Sequence, residues 1–93
     1  MKLNFQWKRQ TGEYQNGENL YLNKIYIASC SWNSGRSRDA DDTTRYVSNI
    51  TLPSLSDKVQ RMYASSLEEL KPKVERVITN WFTEALSDIA HVE

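Results

Sequence analysis

The stretch that most constrains the fold is residues 67–89, LEELKPKVERVITNWFTEALSDI. Its apolar residues recur at intervals of three and four, which places them along one face of an α-helix. Those residues are Leu67, Leu70, Val74, Val77, Ile78, Trp81, Phe82, Ala85, Leu86 and Ile89. A stripe this long predicts a helix that covers the apolar face of another element, the alternative being a face exposed for a partner.

The start of this helix carries its own signals. Ser66 and Glu69 have the spacing of a capping box, in which the serine oxygen accepts from the N–H of Glu69 and the glutamate reaches back. Pro72 follows one turn later and lacks the N–H that an interior helical residue donates. The sequence therefore predicts either a kink at Pro72 or a short first turn followed by the main helix from Pro72.

Strand-like alternation precedes the helix. In residues 2–9 the apolar Leu3, Phe5 and Trp7 alternate with polar residues, which predicts a half-buried strand. Residues 20–32, LYLNKIYIASCSW, are rich in β-branched and aromatic residues and predict a second strand. Its alternation changes phase near Asn23-Lys24 or Ala28-Ser29, which indicates either a β-bulge or a strand partly buried on both faces.

Two further segments complete the expected architecture. Residues 45–52, RYVSNITL, predict a third strand that Pro53 ends, and residues 58–64 predict a short edge strand or an irregular approach to the helix. The sum is one α+β domain over residues 1–93. We expect a three- or four-stranded antiparallel meander with the helix packed on one face and the other face open.

Composition limits the possible functions. Twelve basic and twelve acidic residues give a formal net charge of zero, which argues against a strongly electrostatic nucleic-acid binder. Cys30 is the one cysteine and His91 the one histidine, and neither has the partners that a catalytic or zinc site requires. We therefore expect a non-enzymatic protein without a cofactor. A lone cysteine and the lack of an apolar run of membrane length favour the cytoplasm and no membrane contact.

The segment before the third strand contains clustered acids at Asp39, Asp41 and Asp42. Carboxylates in such a cluster can hold Ca²⁺ or Mg²⁺. The glycine and the distant glutamate of a calcium loop are missing, and Arg36 and Arg38 are close enough in sequence to neutralise the acids. We expect no metal site here.

A resemblance to a known group extends over residues 20–85. The order of strand, charged loop, strand ending in Leu-Pro and tryptophan-bearing helix resembles small phage proteins of Gram-positive bacteria that have no assigned function. The chain departs from their pattern at Asn23, where glycine is usual, and in having Ser54-Leu55-Ser56 after the Leu-Pro pair. The resemblance implies a phage-encoded accessory protein in a bacterial cytoplasm. The matching residues are Tyr21, Leu22, Lys24, Ile25, Arg36, Ser37, Arg38, Asp39, Leu52, Pro53 and Trp81.

Two functional hypotheses follow. The first is a binding module that docks on a host or phage protein, favoured by zero net charge and abundant Tyr and Trp. The alternative is a nucleic-acid-binding module that uses the open sheet face. A contiguous positive face favours nucleic acid, and a mixed face with exposed aromatic residues favours protein. The candidate binding residues are Lys8, Lys24, Tyr26, Arg36, Arg38 and Arg45.

Overall fold

The computed structural model describes residues 3–11, 17–33 and 42–92. Its strands form one antiparallel sheet whose spatial order is the order of the chain, and the long C-terminal helix packs on it. The predicted α+β meander is confirmed, with five strands among the described residues instead of three or four. The elements are β1 (Phe5–Arg9), β2 (Glu18–Leu22), β3 (Ile25–Trp32), a 3-10 turn (Asp42–Thr44), β4 (Tyr46–Ile50), α1 (Asp57–Gln60), β5 (Tyr63–Ala64) and α2 (Leu67–Val92).

The prediction of a single strand over residues 20–32 is wrong. The segment is a hairpin in which β2 and β3 are joined by a turn at Asn23-Lys24, with Leu22 opposite Ile25. Asn23 has a φ of 58°, in the left-handed region that asparagine tolerates better than most residues. Glycine is the residue that adopts such a φ without strain.

The predicted phase change in this segment is nevertheless real. Leu20 lies opposite Ala28, but the next residue, Tyr21, lies opposite Tyr26, so the register shifts and Ile27 is the extra residue of a β-bulge. Both Ile27 and Ala28 are buried as a result. The bulge therefore turns two consecutive side chains toward the core.

The prediction of a fourth strand over residues 58–64 holds only for its last two residues. The first part forms α1, and β5 then pairs with the end of β4 nearest Tyr46 and Val47. Ser48 strengthens this short pairing. Its buried hydroxyl accepts from the backbone N–H of Met62 at 2.9 Å, and its own N–H donates to the Met62 carbonyl, also at 2.9 Å.

The helix α2 supplies the cover of the core. It packs against β3, β4 and β5, and its residues Leu70, Val74 and Ile78 are fully buried. Burial of each such side chain contributes about 2 kcal/mol to folding. The remaining core residues are Leu20, Ile27, Ala28, Cys30, Ile50 and Ala64. The apolar stripe of the helix is thus core along this part of its length.

The first turn of α2 matches half of the predicted capping box. The N–H of Glu69 donates to the hydroxyl of Ser66 at 3.2 Å. The Glu69 carboxylate accepts from the Ser65 hydroxyl at 2.7 Å, and this bond holds the pKa of Glu69 below its usual value. Pro72 lies inside the helix, so the alternative that the main helix begins at Pro72 is wrong.

Candidate binding surface

The face of the sheet away from α2, here called the outer face, is the candidate binding surface. Alternation along each strand assigns its members, since Cys30 and Ser48 are buried under the helix and their strand neighbours point the other way. The same alternation in β1 leaves Gln6 and Lys8 exposed, as predicted. The outward-facing strand residues are Gln6, Lys8, Asn19, Tyr21, Tyr26, Ser29, Ser31, Val47, Asn49 and Tyr63.

One corner of the outer face is an aromatic patch. The rings of Tyr21 and Tyr26 meet edge to face with centroids 5.9 Å apart, and the Lys8 ammonium lies 5.0 Å from the centroid of Tyr21. This cation–π contact and the ring pair hold the three side chains together. Tyr26 remains 42% exposed, and Lys24 is exposed in the adjoining turn. The patch therefore offers an aromatic ring bordered by two cations.

The opposite end of the outer face contains a shallow hollow of about 230 Å³. Ser29 and Ser31 form its floor on β3, and Asn49 on β4 lies beside them. Arg61 and Tyr63 form its wall, and both are exposed. The hollow thus presents hydroxyl, amide, guanidinium and phenol groups, which can donate hydrogen bonds to a polar or anionic group.

The predicted candidate residues occupy several places. Lys8 and Tyr26 lie on the outer face, Lys24 lies in the turn at its border, and Arg45 is half-buried immediately before β4. Arg36 and Arg38 lie outside the described residues. The structure thus brings Lys8 and Tyr26 into one patch through Tyr21.

Two prominent residues of the surface, Arg61 and Tyr63, were missing from the prediction. Their alternation with Met62 was a visible signal, since alternate residues of a strand share a face. The signal was weak because β5 has two residues and α1 ends directly before it. Only the pairing of Tyr63 with Val47 assigns its side chain to the outer face.

A second concave region lies beside α2, between the helix and the segment that precedes α1. It has a volume of about 590 Å³ and is lined largely by apolar side chains, among them Leu55, Val77 and Trp81. The Trp81 indole N–H donates to the Pro53 carbonyl at 2.9 Å, which ties the loop to the helix. Beyond Trp81 the apolar stripe continues to Leu86, which is 40% exposed.

Groups with chemical reactivity are few in the part of the chain that the structure describes. Cys30 is fully buried, and desolvation raises the pKa of its thiol to about 12, so it is a poor nucleophile near neutral pH. Within the described residues, no three His, Cys, Asp or Glu side chains are grouped as metal ligands. The expectations for Asp39 and Asp41, and for the side chains of Asp42 and His91, concern groups outside what the structure describes.

Comparison with protein-family models, curated proteins and solved structures gives no match to this chain. None of the described helices is long and apolar enough to cross a bilayer.

Proposed function

We propose that the protein is a non-catalytic binding module that docks on another protein through its outer face. The observation that carries this proposal is the composition of that face, in which exposed Tyr26 and Tyr63 lie among amides, hydroxyls and a few cations. Tyrosine and arginine dominate the energetically important centres of protein interfaces. A mixed face of this kind is the one that favours a protein partner over nucleic acid.

The hollow beside Tyr63 supplies a place for one partner side chain. Its volume of about 230 Å³ is below the roughly 300–1,000 Å³ of small-molecule sites. A carboxylate or amide side chain of the partner would accept hydrogen bonds from Arg61 and the two floor serines, while Tyr63 packs against its stem. Arg61 is well suited to this role because its planar group binds carboxylates through two parallel bonds.

The biological setting of the proposal comes from the resemblance of residues 20–85 to phage proteins. A phage-encoded accessory protein in the bacterial cytoplasm would act by occluding a surface of a host or phage protein, without chemistry. An interface of about 800 Å² on each partner suffices for a stable complex. The total surface of 6861 Å² allows one face to supply that area.

A position-dependent photo-crosslinking experiment tests this proposal. A photoreactive amino acid replaces Tyr63 in one variant and Arg76, an exposed residue of α2, in a matched control. In lysate of a Gram-positive host we expect one discrete adduct from position 63, suppressed by excess unlabelled protein and weakened by Arg61→Ala. An adduct of equal yield from position 76, or none from position 63, contradicts the proposal.

Nucleic acid is the second candidate, and one observation favours it. The outward-facing residues of the described strands include Lys8 and no carboxylate, and Lys24 and Arg61 add charge at two borders. If each of these three cations contacted a phosphate of a single strand, affinity would fall about 20-fold between roughly 50 and 200 mM salt. Fluorescence anisotropy with a mixed-sequence oligonucleotide measures this slope. Tight, salt-dependent binding that Lys8→Ala weakens would replace the protein-docking proposal.

A further inference from the structure

The open edge of β1 is the feature from which we draw a further inference. Strand β1 is the first strand of the sheet. Among the described residues, it pairs with β2 along one side, and its other side has no partner strand. We propose that two copies of the chain pair through this edge, with their β1 strands antiparallel about a two-fold axis at Trp7. The pairing joins the two five-stranded sheets into one of ten strands. It does not depend on the proposed docking function.

Backbone geometry determines the register of the pairing. The N–H of Gln10 donates to the Gly17 carbonyl at 2.9 Å, and that of Asn23 donates to the Asn4 carbonyl at 3.4 Å. Even-numbered residues of this strand therefore direct their backbone groups toward β2, and odd-numbered ones toward the edge. Centring the axis on Trp7 pairs every edge-facing group of the strand and makes about six inter-chain hydrogen bonds.

Side chains on the helix side of β1 favour a second copy as the occupant. Phe5 and Trp7 are only half-buried, because α2 packs over β3, β4 and β5 and leaves the margin of the sheet less covered. The proposed register sets Trp7 directly opposite Trp7 of the second copy, with Phe5 on either side. Cross-strand aromatic pairs stabilise a sheet, and here they extend the core across the edge.

Charges are compatible with the same register. Lys8 falls opposite Gln6 of the second copy, and Arg9 falls opposite Phe5, so no two cations face each other. Arg9 is exposed and has no ion pair with a described residue. In the pair it lies diagonal to the other copy's Trp7, whose indole N–H donates to Glu75 at 2.8 Å.

Sedimentation equilibrium of the full chain measures the association. Over a roughly hundredfold range of concentration we expect the mass to rise from 10.9 kDa toward twice that value. Arg9→Pro removes an edge-facing N–H and leaves the bonds to β2 intact, and Arg9→Ala keeps that N–H as the matched control. The dissociation constant should increase about tenfold or more from the alanine to the proline variant. Similar melting temperatures for both variants establish that each is folded.

Amide hydrogen exchange by NMR reports the edge directly. The amides of Phe5, Trp7 and Arg9 should exchange quickly in dilute solution and slowly in concentrated solution. Those of Gln6 and Lys8 should be protected in both, since they face β2. Protection of the odd-numbered amides at every concentration would mean that the chain itself covers the edge, and it would overturn the proposal.

Disulfide trapping tests the register. In the proposed register, position 6 of one copy lies opposite position 8 of the other copy. A thiol from Gln6→Cys therefore faces a thiol from Lys8→Cys, whereas two copies of the same variant do not place their thiols opposite each other. Mild oxidation should crosslink a mixture of the two variants at least about tenfold faster than either alone, as expected for neighbouring Cβ atoms. Buried Cys30 does not compete. The β1 pairing is refuted if the protein stays monomeric. It is also refuted if the protein dimerises but the mixed variants do not crosslink faster, or if Arg9→Pro does not weaken the dimer.

Discussion

The replacement Ile78→Ala tests the attachment of α2 to the sheet. Ile78 has no exposed surface, and alanine removes three of its buried carbons, worth about 2.4 kcal/mol at roughly 0.8 kcal/mol each. The cavity left behind adds to this loss, so we expect a total of about 3–4 kcal/mol. In a domain of this size that lowers the melting temperature by about 12–30 °C.

Leu86→Ala is the control for this experiment, because it removes a comparable apolar side chain from the same helix. Leu86 is 40% exposed and lies past the last helix residues that are packed in the core. Its replacement should cost less than about 1 kcal/mol. Urea unfolding followed by circular dichroism gives both free energies. Equal losses for the two variants, or a loss below about 1 kcal/mol for Ile78→Ala, would refute the packing of α2 described above.

Three further predictions concern single side chains. Ser48→Ala leaves the Met62 N–H without the hydroxyl that accepts its hydrogen bond and should lower the free energy of unfolding by about 1–3 kcal/mol in urea titrations. Trp7→Phe removes the indole N–H that binds Glu75 and should cost about 1.5–3 kcal/mol by the same assay, with a smaller loss in a Glu75→Ala background, which has no carboxylate to accept that bond. Cys30 has a pKa near 12 when folded against 9.0 as its ordinary value, so the unfolded state loses its proton first and stability falls above pH 9. Between about pH 9 and 10.5 this thiol should cost about 1.5 kcal/mol, a loss absent in Cys30→Ala.

The long helix was predictable because its signal is repeated many times. Each turn of α2 contributes one or two apolar residues to the same face, so the pattern survives a proline in the first part of the helix. The β2–β3 hairpin was not predictable, because its turn has only two residues and neither is glycine. Asn23 adopts the left-handed conformation in this turn. Because no glycine marks the turn, the sequence pattern predicts one continuous strand.

The outer face was predictable in part for a related reason. Alternation assigns Lys8 and Asn49 to it correctly, because β1 and β4 are regular strands. Beside the bulge, alternation alone does not decide whether Lys24 or Tyr26 lies on the outer face. Arg61 and Tyr63 escaped because their position depends on the pairing of β5 with β4, which local sequence does not determine.

The meander has a consequence for the order of folding. Each strand pairs with the strand before it, so the sheet can grow by successive local hairpins with little loop-closure entropy at each step. The bonds of Trp7 to Glu75 and of Glu18 to Lys71 span 68 and 53 residues, respectively. Contacts between the earliest strands and the helix should therefore form last, and weakening them should accelerate unfolding while leaving the refolding rate nearly unchanged.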